Sequence, residues 1–135
     1  MKEDREALAR YRIDRALETL EEAKLLFNGE KYVGVINRIY YAMFYAINAL
    51  LIIEGYSSNK HSGVISLFNK HFVKTGRVSK GAGRFFQEMF VSRSKGDYRD
   101  FKRFTKDEAK SAMDRCAKYL EELKEIVEKK LGGRF

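Results

Sequence analysis

The chain has 135 residues, 44% of them hydrophobic and 34% charged, with a net charge of +8. That length suits one domain with one core, so 1–135 reads as a single unit. The lone cysteine, Cys116, excludes an internal disulfide, and the absence of any run of about 18 apolar residues argues against a membrane span.

Apolar residues recur at helical spacing along the whole chain, and no bounded period-two run signals a strand. Ala9, Ile13, Ala16, Leu20, Ala23 and Phe27 draw one stripe on a first helix, which Asn28-Gly29 should end. A second helix, from about Lys31 to Glu54, is apolar on most faces and should be central. Its stretch "IYYAMFYAINALLIIEG" is too short to cross a bilayer and suits a buried helix. Gly55 stops it, and "SSNK" starts a third helix carrying Val64, Ile65, Leu67, Phe68 and Phe72, ended by Gly76. Ser79 opens a fourth, with Phe85, Phe86, Met89 and Phe90, which Gly96 should end. Thr105-Lys-Asp-Glu108 has the form of a capping box, in which hydroxyl and carboxylate satisfy free backbone N–H groups. The fifth helix bears Ala109, Ala112, Cys116, Tyr119, Leu123 and Ile126, and Gly132-Gly133 ends it. The long first and last helices should pair with the second in an all-α, up-and-down bundle of about five helices.

The charge excess has a definite place. Residues 70–106 hold 11 Lys or Arg against 3 Asp or Glu, and the rest of the chain is balanced. Excess concentrated in this way points to a phosphate-bearing partner. The opening "MKEDREALAR" has no apolar signal core, so a cytoplasmic protein is expected. No proline, one glutamine and many Lys and Glu suggest a thermophilic source.

Several chemistries can be set aside. "GAGRFF" from Gly81 to Phe86 lacks the third glycine and preceding strand of a dinucleotide fingerprint. His61 and His71 fall on different faces of one helix without a second Cys or a carboxylate cluster, so neither a metal nor another cofactor is expected. Cys116 lies on a core stripe, where a packed thiol is the expected state.

Three stretches carry a resemblance: "NRIYYAMFYAINALL" in the second helix, "NKHSGVISLF" opening the third and "FVSRSKGDY" closing the fourth. In this order and spacing they resemble the HEPN domain family, from about Lys31 to the last helix. The resemblance implies an up-and-down helical bundle, a homodimer, and a minimal nucleotidyltransferase as partner in a toxin–antitoxin pair. Family members that are ribonucleases work without metal. Their site is an arginine followed four to six residues later by a histidine. The arginine steadies the phosphate, and the histidine helps the 2′-OH to attack it.

Arg93 matches that arginine. The histidine window holds Tyr98, Arg99 and Asp100 instead. An arginine followed by Asp-Tyr marks one branch of the family, which "RSKGDY" resembles. A tyrosine is ionised about one part in a thousand at pH 7, so Tyr98 is a poor general base. It can donate a hydrogen bond to phosphate or stack on a base.

The candidate site is therefore Arg93 as phosphate ligand, Asp97 and Tyr98 orienting, and Lys95, Arg99, Lys102 and Arg103 supplying the field, with His61 approaching from another helix. A local reading stands beside it: Arg93 complementing a helix C-terminus, Asp97 capping, Tyr98 packing. Asn37 and Arg38, polar in an apolar helix, must find partners. Tyr40, Tyr41, Phe44 and Tyr45 are expected in the core or on a dimer surface. The expected function is binding of nucleotide or RNA phosphate. The alternatives are a metal-independent ribonuclease, with His61 as an unusual base, and a pure protein-interaction module.

Overall fold

The computed structural model describes residues 2–98 and 103–132, except for the side chains of residues 95–98. Five helices follow one another: α1 (Lys2–Asn28), α2 (Tyr32–Ile53), α3 (His61–Phe68), α4 (Lys80–Tyr98) and α5 (Lys106–Lys130). A five-residue π-turn, Asn69–Val73, prolongs α3. No strand occurs among the described residues, and the chain is a single all-α domain.

Helix α2 is the centre because it has the most apolar surface to hide. It packs against α1, α3, α4 and α5. Twelve of its 22 residues are buried, including Ile36, Ile39, Met43, Ile47 and Leu50. At 22 residues it is long and apolar enough to cross a membrane, which the shorter stretch counted from sequence had understated. The surrounding helices bury most of it instead. Its buried amide side chain, Asn48, donates Nδ2–H to the Phe44 carbonyl at 2.8 Å.

The flanking helices follow their stripes. Ala9, Ile13, Ala16, Leu20 and Ala23 of α1 are buried against α2, and the small alanines allow close approach. On α5 the buried stripe is Ala109, Ala112, Met113, Cys116, Leu120, Leu123 and Val127. The expected Tyr119 and Ile126 lie only half-buried at its edge, so the stripe is turned by about one residue. The capping box at Thr105 forms: Thr105 Oγ1 accepts from Glu108 N–H at 3.1 Å, and the Glu108 carboxylate accepts from Thr105 N–H at 2.8 Å.

Glycine ends some of these helices and not others. Gly55, Gly76 and Gly132 take left-handed φ values of 84°, 78° and 71°, where a Cβ would be strained. After α1 the left-handed residue is Glu30 (φ 60°) rather than Gly29. Gly96 does not end α4, which runs on to Tyr98. A lone helical glycine costs only about 1 kcal/mol relative to alanine, and the α4 stripe that packs on α2 extends to within three residues of it.

Glu54, just past α2, ties together the end of α2, the turn before α4 and the end of α5. It forms a two-pronged pair with Arg77, and its Oε2 lies 3.2 Å from Lys130 Nζ at the end of α5. Arg77 also lies 4.5 Å over the Phe72 ring. The hydrogen bonds from Arg77, against an opposing effect of burial, hold the Glu54 carboxyl down at about 2. A lowered folded-state pKa stabilises the fold above the unfolded-state value, and that stability is lost as the pH falls toward the folded value. Glu54→Gln should therefore cost about 2 kcal/mol at neutral pH. Acid titration of thermal unfolding should show the gap from wild type closing between pH 4.5 and about 2.

Candidate functional site

The site grows from one stripe of α4. Phe86, Phe90 and Arg93 step by four and three residues, so they share a face. That face meets Tyr40 of α2: Phe86 stacks on Tyr40 with centroids 5.4 Å apart and planes within 5°, and Phe90 lies 6.0 Å away. With two aromatic contacts fixed, the third position falls over the same ring. The Arg93 guanidinium carbon sits 4.9 Å from the Tyr40 centroid and 5.7 Å from that of Tyr41. A flat, delocalised cation suits an aromatic face, an attraction of about 0.5–2 kcal/mol depending on solvent exclusion.

His61, the first residue of α3, closes the site from another side. Its ring stacks on Phe44 at 4.6 Å and lies within 16° of parallel to Tyr40. Nδ1 is 2.6 Å from the Tyr40 hydroxyl oxygen. The turn before α3 holds the imidazole there. Ser58 Oγ bonds the backbone of Lys60 in both directions, donating to its carbonyl and accepting from its N–H, at 3.2 Å each. The turn lies directly on Gly63, where an added Cβ would come within 2.8 Å of Ser58 Cβ. The helix thus starts at His61, with Lys60 as its N-cap, a little later than "SSNK" suggests.

The electrostatics follow from packing. Burial, and secondarily the charge of Arg93, push the His61 pKa below its ordinary value, so the imidazole is neutral at neutral pH. Burial raises the pKa of the Tyr40 phenol, with Arg93 opposing, and it stays protonated. A fixed cation beside a neutral imidazole and a neutral phenol is a surrounding suited to an anion.

The other predicted residues are placed as follows. Asn37 and Arg38 find their partners on α2 and α1. Asn37 Oδ1 accepts from Arg38 Nε and Nη2 at 3.2 and 2.9 Å, and Arg38 Nη1 reaches Glu22 at 3.3 Å. Arg38 also lies over Tyr41, 5.2 Å from its centroid, so two arginines share that ring. Arg103 is exposed and lines a groove at the start of α2 with Lys31, Tyr32 and Phe104. Arg99 and Lys102, and the side chains of Lys95, Asp97 and Tyr98, lie outside the described residues. Tyr41, Phe44 and Tyr45 are half-buried, and Tyr40 is fully buried.

Sequence reasoning placed Tyr40 in the core or on a dimer surface and missed its pairing with His61. The available signal was chemical: a tyrosine in the middle of an apolar stripe must find a partner for its hydroxyl. Cys116 is buried, and burial pushes its thiol up to about 12, which leaves it inert. Among the described residues no group of three or more His, Cys, Asp or Glu is arranged to hold a metal ion.

A second basic feature lies on the other side of α4. Lys74, Lys80 and Arg84 line a groove of about 420 Å³ with Asn69, Val73, Gly83 and Gln87. Arg84 and Arg93 are nine residues apart, two and a half helical turns, so they point to opposite sides. None of the three cations has an ion-pair partner among the described residues, whereas Arg77 and Arg115 are taken by Glu54 and Glu88.

The model of the HEPN domain matches residues 9–128, nearly the whole bundle. The chain belongs to the HEPN domain family. A "UPF0332 protein" of Thermotoga maritima is 40% identical to this HEPN chain over 125 residues, 93% of the chain and 95% of the relative. "Putative toxin MJ0142" of Methanocaldococcus jannaschii is 32% identical over 115 residues, 85% of the chain and 78% of the relative. "Putative toxin MJ0605" of the same organism is 33% identical, covering 85% of each.

The coupling of His61 to Arg93 can be measured directly. In an NMR pH titration His61 should protonate at a lower pH than a model histidine. Arg93→Ala removes the neighbouring charge and should move the midpoint upward. An unmoved His61 midpoint would separate the two residues.

Proposed function

We propose that this HEPN chain binds the phosphates of RNA or of a nucleotide at Arg93, as a cytoplasmic homodimer in a toxin-type system with a minimal nucleotidyltransferase. The observation that carries the reading is the Arg93 guanidinium laid on Tyr40 and Tyr41 beside a neutral imidazole. A preorganised cation spends little entropy on gripping a phosphate, and planar guanidinium geometry matches two phosphate oxygens. The basic groove of Lys74, Lys80 and Arg84 supports a polyanionic ligand, since exposed cations follow a phosphate backbone by releasing its counterions. The names of the Methanocaldococcus relatives support a toxin-type setting.

Metal-independent RNA cleavage is the second reading. It is favoured by a histidine from α3 lying beside the arginine, although none follows Arg93 at the family spacing. A general base with a suitable pKa accelerates such a step by about 10²–10⁴. Incubation of RNA in metal-free buffer separates the two readings: binding without new cyclic phosphate ends supports the first, and steady cleavage abolished by His61→Ala supports the second.

Fluorescence anisotropy with a labelled oligouridylate tests the binding itself. Arg93→Ala should weaken affinity about ten- to hundredfold, the worth of a charge-assisted hydrogen-bond pair. Replacing Lys80 and Arg84 together should weaken it less, and should flatten the slope of log affinity against log salt by about 0.7 per lost phosphate contact. Unchanged affinity in Arg93→Ala would move the site elsewhere.

A further inference from the structure

We infer that Tyr40 donates its phenolic proton to Nδ1 of His61, which fixes His61 as the Nε2–H tautomer and makes it a hydrogen-bond donor toward the site of Arg93. Tyr40 is thus a positioning residue, and His61 is a ligand rather than a base. The part of the inference that concerns phosphate rests on the binding function proposed above.

The argument is an accounting of hydrogens. Tyr40 has no exposed surface, and its hydroxyl has one hydrogen-bond partner among the described residues, His61 Nδ1 at 2.6 Å. Around it stand Tyr41, Phe44, Phe86 and Phe90, whose rings offer no strong acceptor. Arg93, over the face of the Tyr40 ring, has only donors.

Two tautomers of a neutral imidazole are possible. If Nδ1 carried the proton and donated it to the phenol oxygen, the phenol's own proton would have no acceptor among the described residues and would be buried unsatisfied. If the phenol donates to the Nδ1 lone pair, both groups are satisfied and the ring proton goes to Nε2. Nε2 makes no hydrogen bond to any described residue and is not among the buried polar atoms left without a partner, so it keeps exposed surface through which its proton can reach a ligand.

The consequence is chemical. In this tautomer neither ring nitrogen offers a lone pair outward: Nδ1 is occupied by Tyr40, and Nε2 bears hydrogen. His61 cannot take the proton from a 2′-OH while the bond to Tyr40 lasts. It can donate to a phosphate oxygen whose charge Arg93 also meets. The same contact that orients the ring therefore favours holding a phosphodiester over cutting it.

The test begins on the free protein. Side-chain nitrogen NMR above the His61 titration should show a protonated Nε2 and a bare Nδ1 in wild type. In Tyr40→Phe, checked for folding by thermal melting, the two signals should move toward a tautomer mixture. A protonated Nδ1 in wild type overturns the inference. An unchanged Nε2–H form in Tyr40→Phe overturns the role of Tyr40. The same proteins are then titrated with oligouridylate. His61→Ala should lose about three- to tenfold in affinity, the worth of one neutral hydrogen bond, and His61→Gln should recover part of it. Should the NMR behave as expected while His61→Ala and Arg93→Ala both bind as wild type, the tautomer stands and the phosphate-binding function falls.

Discussion

A buried phenol must give its proton to something, and much of this molecule is arranged around that constraint at Tyr40. The residue sits in the middle of the helix with the most apolar surface, surrounded by the rings of Tyr41, Phe44, Phe86 and Phe90. Its acceptor comes from another helix, 21 residues along the chain. The hydrogen bond thereby pins the start of α3 to the centre of α2. Stacking on Phe86 sets the rotation of α4, and that rotation brings Arg93 over the same ring. One core side chain thus joins three helices and two candidate ligand groups.

Charge is distributed with similar economy. The chain neutralises several cations internally: Arg77 with Glu54, Arg115 with Glu88, Arg38 with Glu22. Two of these pairs tie helix to helix, α1 to α2 and α4 to α5, and the third ties the end of α2 to the turn before α4. The excess lies in the central segment, where α4 carries Arg93 on one side and lines the Lys80–Arg84 groove on the other. Arginine at position 93 has a physical reason, since a planar guanidinium can lie on Tyr40 and still present edge hydrogens to a ligand. An ammonium at the same place would keep the charge and lose the stacking and the fork.

The helices were legible in the sequence because their signals are local. Apolar stripes on α1 and α2, the Thr105 capping box and the glycines at 55, 76 and 132 each act over a turn or two. Gly96 misled because a glycine ends a helix only where packing lets the chain leave. The α5 stripe was read one residue off because Tyr119 and Leu120 are both apolar, and only the position of α2 decides which faces inward. The site was half-legible. Arg93 could be named from the family pattern, His61 as a histidine approaching from another helix, and Asn37 and Arg38 from polarity in a greasy helix. Their partners could not, because Glu22 and Tyr40 are distant in the chain and meet them only once the helices are packed.

The central claim is that Arg93 and His61 together form one phosphate site, oriented by Tyr40. A proton–nitrogen correlation spectrum of the arginine and histidine side chains, followed during titration with oligouridylate, tests it most directly. The account predicts that Arg93 Nε–H and His61 Nε2–H shift together, with one saturation curve, while Arg38 and Arg77 stay close to their starting positions. Saturable binding that leaves Arg93 and His61 unmoved would contradict it.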